Sequence, residues 1–303
     1  MSEFLQQVVN GLALGSIYAL IAIGYTMVYG VLRFINFAHS DILMLGAFAA
    51  FFLAPKAQAI FGAESVLGAI SVILLSALIC AAIGMLIEYL AYRPLRDRPK
   101  LTVLITAIGV SLLIEFGCQH PAVFGPNPKA FPKLFPAADY HLQGLTISTN
   151  DMVVLGSTLV LLGALWFMVQ RTKVGAAMRA VAFNHHAAAL MGINVSRIIS
   201  LTFAVGSALA AVAGILYALK APAIEPLMGI QPGLRAFIAA VVGGIGNLPG
   251  AALGGLLLGA LETFAGGIPG VSNYRDGIAF AILILILLFR PAGLLGKLQH
   301  EKV

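Results

Sequence analysis

Long apolar runs alternate with short polar intervals along the whole chain. The runs are Val8–Leu32, Asp41–Ala54, Val66–Ala91, Leu101–Gly117, Asp151–Val169, Ile198–Leu219, Phe237–Ile245, Ala251–Ala265 and Gly277–Phe289. A helix needs about 20 apolar residues, or ~17 at the short limit, to cross a bilayer's hydrocarbon core. The first, third, fourth, fifth and sixth runs meet this, and the last meets it with its flanks. Asp41–Ala54 is only about 20 Å long as a helix, and so is the stretch from Arg235 to Asn247. Two readings fit these short pieces: discontinuous or re-entrant elements lining a cavity, or short tilted helices in a locally thinned bilayer. The pattern predicts an all-α polytopic membrane protein, one domain over residues 1–303, with about eight transmembrane helices including short or broken intramembrane elements.

The interval Arg171–Arg197, RTKVGAAMRAVAFNHHAAALMGINVSR, has a different pattern. Val174, Ala177, Met178 and Val181 recur at helical spacing and mark one face of a short helix. Asn184 suits the end of that helix and the cap of the next. A second short helix from His185 to Met191 would stop at Gly192, in the left-handed conformation glycine favours. Two short helices lying at a membrane surface follow, with an apolar face to bury on the protein's own underside, on lipid or on a partner.

Composition agrees with a membrane protein. The chain is 60% hydrophobic and 10% charged, and its mean hydropathy is +0.98. Soluble domains carry about 25% charged residues. The 33 glycines suit closely packed membrane helices. The net charge of +6 comes from arginines and lysines at segment ends, which points to orientation in the bilayer rather than to nucleic acid. By the positive-inside rule the tract Arg93–Lys100 and the 170–197 loop are cytoplasmic, and the proline-rich loop 118–150 lies outside. Arg290, Lys297 and Lys302 place the C-terminus inside, and counting back places the N-terminus outside. The segment Lys220–Asp276 then forms a hairpin turning at Gly243–Gly250. The N-terminus lacks a basic leader, so it is read as part of the mature chain. Ser40 and Asn247 are candidate helix caps after two breaker sequences, with Pro249 in the first turn after Asn247.

Candidate chemistry is sparse. There is no GxxxxGK[ST] tract, so no P-loop nucleotide site is expected. Cys80 and Cys118 match no metal spacing, and adjacent His185 and His186 point apart on a helix, so no metal site is expected. A charge within an apolar run costs at least ~2.5 kcal/mol at a helix centre. Glu88 and Glu115 sit near segment ends, within reach of the interface. Glu262 lies deeper and calls for a polar partner or an aqueous cavity, while Arg275 and Asp276 read as an interfacial pair. Asn36, His39 and Asp41 gather on one broken segment, either as polar lining of a pathway or as a cytoplasmic turn.

Several stretches carry a family resemblance: GSIYALIAIGYTMVYGVLRFINFAHSD (Gly15–Asp41), LAYRPLR (Leu90–Arg96), LITAIGVSLL (Leu104–Leu113), the tract Val174–Leu216 and AFIAAVVGGIGNLPGAALGGLLLGALE (Ala236–Glu262). Together they resemble the first, H-type inner-membrane permease subunit of bacterial ABC importers for branched-chain amino acids, the high-affinity leucine/isoleucine/valine system. The likeness covers nearly everything outside 118–150. It implies a multi-pass protein of the bacterial inner membrane that is not an enzyme and binds no cofactor of its own. Its partners would be a second permease subunit, two cytoplasmic ATPases that bind ATP-Mg, a periplasmic substrate-binding protein and the surrounding membrane lipid. It implies ATPase coupling through Arg179, Ala180, Asn184, Ala188, Ala189 and Gly192. The family usually has an acidic or proline-containing tract after Asn184, where this chain has His185 and His186. Substrate-path candidates are Asn36, Phe37, His39, Asp41, Gly244, Gly246, Asn247 and Glu262. Two other readings stay open: a related permease for urea or short amides, and an intramembrane enzyme or channel using His39, Asp41 and Glu262.

Overall fold

A computed structural model describes residues 2–96, 98–142, 145–268, 270 and 272–296. Among these, seven helices are long and apolar enough to cross a membrane. Helix α1 (Ser2–Leu32) is followed by α2 (His39–Phe61) and α3 (Val66–Ile87). A π-helical turn, Glu88–Tyr92, and a 3-10 turn, Arg93–Leu95, extend α3 into the basic tract. Helix α4 (Lys100–Cys118) then leads to the proline-rich loop. That loop carries β1 (Lys129–Ala130), β2 (Asp139–Leu142) and β3 (Leu145–Ser148), with β2 and β3 paired antiparallel. Helix α5 (Thr149–Arg171) returns the chain to the basic end. Next come α6 (Lys173–Phe183), α7 (His185–Leu190) and α8 (Val195–Lys220). Strand β4 (Ala223–Ile224) pairs antiparallel with β1. Helices α9 (Ile230–Gly243), α10 (Leu248–Gly267) and α11 (Arg275–Phe289) complete the described fold.

Local chemistry sets many boundaries. Ser148 and Asp151 form a reciprocal capping box at the start of α5. Thr172, Asn184, Asn194 and Asn247 each accept a hydrogen bond from the backbone N–H three residues on, opening α6, α7, α8 and α10. Asn247 and Pro249 therefore sit where the sequence places them. Ser40 does not: α2 starts at His39 without a side-chain cap, and the Ser40 hydroxyl donates back to the Phe37 carbonyl at 2.9 Å.

The sequence reading also stops α2 too early. The helix runs through Pro55 and Lys56 to Gly62, where a φ of +89° ends it, so it has 23 residues and full spanning length. Proline forfeits one ladder bond, but a single loss does not end a helix whose faces are buried. Helix α10, with 20 residues, is likewise a full crossing. Helix α9, with 14 residues, and α11, with 15, both fall short of a full crossing; for α11 this departs from the expectation, because a 3-10 turn at Ser272–Tyr274 and the cap at Arg290 leave no helical flanks to lengthen the last run.

Helices α1 and α8 form the centre. In their most apolar windows 89% of α1 and 72% of α8 is buried, against 22–50% for the other spans. Small residues permit the approach: a Cβ on Gly15 would lie 2.8 Å from the Leu256 Cα, and one on Gly255 or Gly259 would strike α1 backbone. Gly46 and Gly214 serve the same purpose between α2 and α8, and Gly84 between α3 and α8.

The parts recur in the same order with inverted orientation. A long helix (α1 or α8) is followed by a reversal, then a helix beginning at mid-depth (α2 or α9), a helix packed on the opposite long helix (α3 on α8, α10 on α1), and an outer helix (α4 or α11). Inverted repeats of this kind are common in transporters. The structure thus pairs the start of α2 with the start of α9, at Ser40 and Gly229, rather than with the Asn247 turn.

Candidate functional site

Three polar constellations occur at three depths. The middle one surrounds the start of α2. The chain leaves α1 at Leu32, turns back through residues 33–38 and begins α2 beside Gly24 of α1 and Gly206 of α8. His39 is 1% exposed, and its ring lies 4.7 Å from that of Tyr25. Asn36 accepts a hydrogen bond from the Tyr92 hydroxyl at 2.6 Å. Asp41 accepts one from the Ser111 hydroxyl on α4 at 2.5 Å, and Glu115 is buried nearby. Phe37 is half-buried, its ring 6.4 Å from that of Phe237 on α9. Asn36, Phe37, His39 and Asp41 thus share one site, where α2 and α9 begin close together: a Cβ on Gly229 or Gly233 would collide with Ser40.

A second constellation ties α1, α9, α10 and α11 together nearer the other end. Arg235 pairs with Glu262 at 2.8 Å and with Asp276 at 2.7 Å. The Tyr18 hydroxyl donates to Glu262 at 2.8 Å and accepts from Arg235 at 3.0 Å. Glu262 therefore has the polar partner its position demands. Asp276 bonds to Arg235 rather than forming the expected pair with Arg275, because α9 brings a cation to a carboxylate distant in sequence. Glu88 also departs from expectation. Its side chain is fully buried, paired with Arg96 and accepting from Ser200 at 2.6 Å, so it does not extend to the interface. At the chain-start end, Lys220 bridges α8 to Asp151 of α5.

The third constellation occupies the basic end, where the 170–197 loop folds as two short helices. Helix α6 buries Gly175, Met178 and Val181; Val174 of the expected stripe is exposed. The Arg179 guanidinium donates to the Val169 carbonyl at the end of α5. Ala180 and Ala188 pack inward against a cluster that includes Val31, Tyr92 and Phe203, while Ala189 faces solvent. Asn184 caps α7, and Gly192 ends it with φ +82°. His185 bonds the Val31 carbonyl at 2.8 Å, fastening α7 to the end of α1.

The α9–α10 turn reaches this same end. Gly244 and Gly246 have φ of +106° and +93°. Gly244 abuts the segment 292–296, whose backbone bonds Val242 and Gly243. Asn247 donates to the Leu295 carbonyl at 2.6 Å. Gly246 and Leu248 share a cleft of about 90 Å³ with Met178, Arg179 and Ala182 of α6. The turn therefore faces the coupling candidate Arg179 across a shared cleft, whereas Glu262 lies far along α10. Arg290, at the end of α11, is at this end too; Lys297 and Lys302 lie outside the described residues. The start of α1 is at the opposite end, where Gln6 exchanges hydrogen bonds with the backbone of Thr146 in the proline-rich loop.

Sequence reasoning missed Arg235 and the large exposed side chains of the two short helices. Arg235 was legible as a lone cation in the apolar stretch LRAFIAAVV, opposite an equally isolated Glu262. Phe183, Leu190 and Met191 are 85%, 88% and 82% exposed.

Known proteins are similar to this chain over nearly its whole length. Over 306 residues the chain is 43% identical to the high-affinity branched-chain amino acid transport system permease protein BraD of Pseudomonas aeruginosa, covering 99% of this chain and 98% of that one. It is 40% identical over 305 residues to the permease protein LivH of Escherichia coli K12, with the same coverage. A probable branched-chain amino acid transport permease protein LivH of Methanocaldococcus jannaschii is 29% identical over 298 residues, 93% of this chain and 89% of that one. The family model described as branched-chain amino acid transport system / permease component matches residues 7–287, and the chain belongs to that family.

Proposed function

We propose that this chain is one membrane subunit of an ATP-driven importer for leucine, isoleucine and valine. It works beside a second permease subunit, with two cytoplasmic ATPases that hold ATP-Mg and a periplasmic protein that delivers the amino acid. The basic end then faces the bacterial cytoplasm and the proline-rich loop faces the periplasm. The chain itself binds no nucleotide and does no covalent chemistry.

The observation that carries this reading is the exposed trio Phe183, Leu190 and Met191 at the basic end. Large apolar groups exposed together mark a contact surface. They project from α6 and from α7 and its C-cap; α7 is fastened to α1 through His185, and α6 shares a cleft with the α9–α10 turn. A motor domain seated on the trio would move α6 and α7 as a rigid body, and the push would pass to α1 and to the hairpin. Helix α2 begins at mid-depth beside α1 and α8, and α9 begins against it while packing on α1, so relative motion there would open or close a path beside Asn36, Phe37, His39 and Asp41.

The test is the double substitution Leu190→Asp with Met191→Asp in the assembled transporter. The chain should insert and fold normally, lose the co-purifying ATPase, and reduce uptake of radiolabelled leucine to background. An unchanged ATPase yield together with normal leucine uptake would overturn the reading.

A further inference from the structure

A cavity of about 460 Å³ opens at the basic end between the α3–α4 connection and α7. Its walls carry Arg93, Arg96, Arg98, Lys100, His185 and His186. Arg96 is committed to Glu88 and to the Ser196 hydroxyl, but its Nε is buried without a hydrogen-bond partner. Among the described residues no carboxylate lies in ion-pair distance of Arg93, Arg98 or Lys100. The sequence places one further acid in this tract, Asp97, which lies outside the described residues. Four cations against Glu88 and Asp97 still leave a formal excess of two positive charges.

The backbone adds to this field. Helix α4 begins at the cavity rim with Pro99 as its cap residue and no side-chain cap. The N–H groups of its first turn and the positive end of a 19-residue helix therefore favour an anion there. The outer faces of the same two helices are apolar: Tyr89, Leu90, Leu101 and Ile105 are all exposed beside the rim. Basic pockets between transmembrane helices that open onto such faces suit the head group of an anionic phospholipid.

We infer that this cavity binds a phosphate oxyanion, supplied by the head group of an anionic phospholipid whose acyl chains lie along α3 and α4. Arg98 and Lys100 are the principal ligands. The bound lipid bridges the α3–α4 connection to the histidines at the start of α7, and so fixes how α7 sits on the body of the protein. The site is separate from the exposed trio and holds whether or not that trio carries an ATPase.

The experiment uses the purified full chain in nanodiscs of phosphatidylcholine, with or without phosphatidylglycerol at one part in ten. Native mass spectrometry reads retained lipid, and thermal denaturation reads stability. The wild-type chain should retain phosphatidylglycerol selectively and melt higher in its presence. Arg98→Gln with Lys100→Gln should weaken retention about tenfold or more, since each basic residue near an anionic surface contributes about 1 kcal/mol. Arg98→Lys with Lys100→Arg keeps the charges and should keep the lipid, which separates loss of the site from loss of the fold. Arg171→Gln with Lys173→Gln, at the same end but outside the cavity, should leave retention unchanged. A third arm adds inorganic phosphate in pure phosphatidylcholine. Protection that depends on Arg98 and Lys100 there would keep the phosphate chemistry and identify the source as solution. Equal loss in both glutamine pairs would mean only diffuse surface attraction, and absence of selective retention by wild type would mean no site; either result overturns the inference.

Discussion

The cluster around Arg235 invites a quantitative test, because its charged members differ sharply in exposure. The Glu262 side chain is 10% exposed, that of Asp276 54% and that of Arg235 19%. Removing one member of a buried ion pair typically costs about 3–5 kcal/mol, since the other charge is left uncompensated. After Glu262→Ala, Arg235 keeps Asp276 and some solvent, so the expected cost falls to about 2–3 kcal/mol. Asp276→Ala removes a half-exposed partner and should cost about 1 kcal/mol or less. Tyr18→Phe deletes a hydroxyl that both donates to Glu262 and accepts from Arg235, and should fall between, at about 1–2 kcal/mol. The double substitution Glu262→Ala with Arg235→Ala should cost less than the sum of the two single ones, because the pair is removed together. Unfolding of the purified chain in mixed micelles, titrated with denaturing surfactant, measures each value. If Asp276→Ala destabilises as much as Glu262→Ala, or if the double substitution is additive, the cluster does not hold α1, α9 and α10 together. Glu262→Gln adds a functional comparison: unchanged stability with abolished leucine uptake would assign Glu262 to the path instead of to the tie.

Glycine substitutions separate packing from conformation. Gly46→Leu should prevent accumulation of folded chain in the membrane, because its Cβ meets Ala211 backbone, whereas Gly109→Leu on α4, whose Cβ meets nothing within 4 Å, should accumulate normally by immunoblot. Gly192→Ala, in open space but at φ +82°, should cost about 1 kcal/mol of local stability, read as faster amide exchange confined to α7, with insertion unchanged.

Periodicity and end charges make much of the architecture legible. The spans, the paired short helices at Lys173–Phe183 and His185–Leu190 and the caps at Asn184 and Asn247 all follow from local rules. The misreadings come from contacts between distant segments. Pro55 looks like the end of a run, yet α2 continues because α3, α8 and the loop carrying Phe124 cover it; the Phe48 and Phe124 rings stack at 4.2 Å. Glu88 looks able to reach water, yet Arg96 and Ser200 meet it inside. Asp276 is adjacent to Arg275 in sequence and bonds Arg235 across 41 positions. A charge in an apolar run announces that it needs a partner; only the packing of non-neighbouring helices decides which one.

That same packing explains where the two helices that begin at mid-depth lie: α2 starts beside α1 and α8, and α9 packs on α1, α10 and the start of α2. A helix start leaves several backbone N–H groups without ladder partners, and in hydrocarbon each would cost several kcal/mol. Helix α2 has no side-chain cap, and neither has α9. Partial relief comes from turns, with His39 N–H bonded to the Asn36 carbonyl at 3.2 Å and Ile230 N–H to the Leu227 carbonyl at 3.2 Å. The rest must be shielded from lipid, which α8 does for α2, and α1 and α10 do for α9. Gly229 and Gly233 then allow α9 to approach Ser40 until the two starts touch. The junction of these two uncapped starts thus lies against α1, and α1 is the helix to which His185 fastens α7. Motion imposed on α7 acts first on the helix that shields the junction, so Gly233→Ala, which would push α9 off Ser40, should uncouple the two even with α6 and α7 intact. A Gly233→Ala transporter that hydrolyses ATP at the normal rate and moves no leucine is the expected outcome; normal leucine uptake would refute this path for the force.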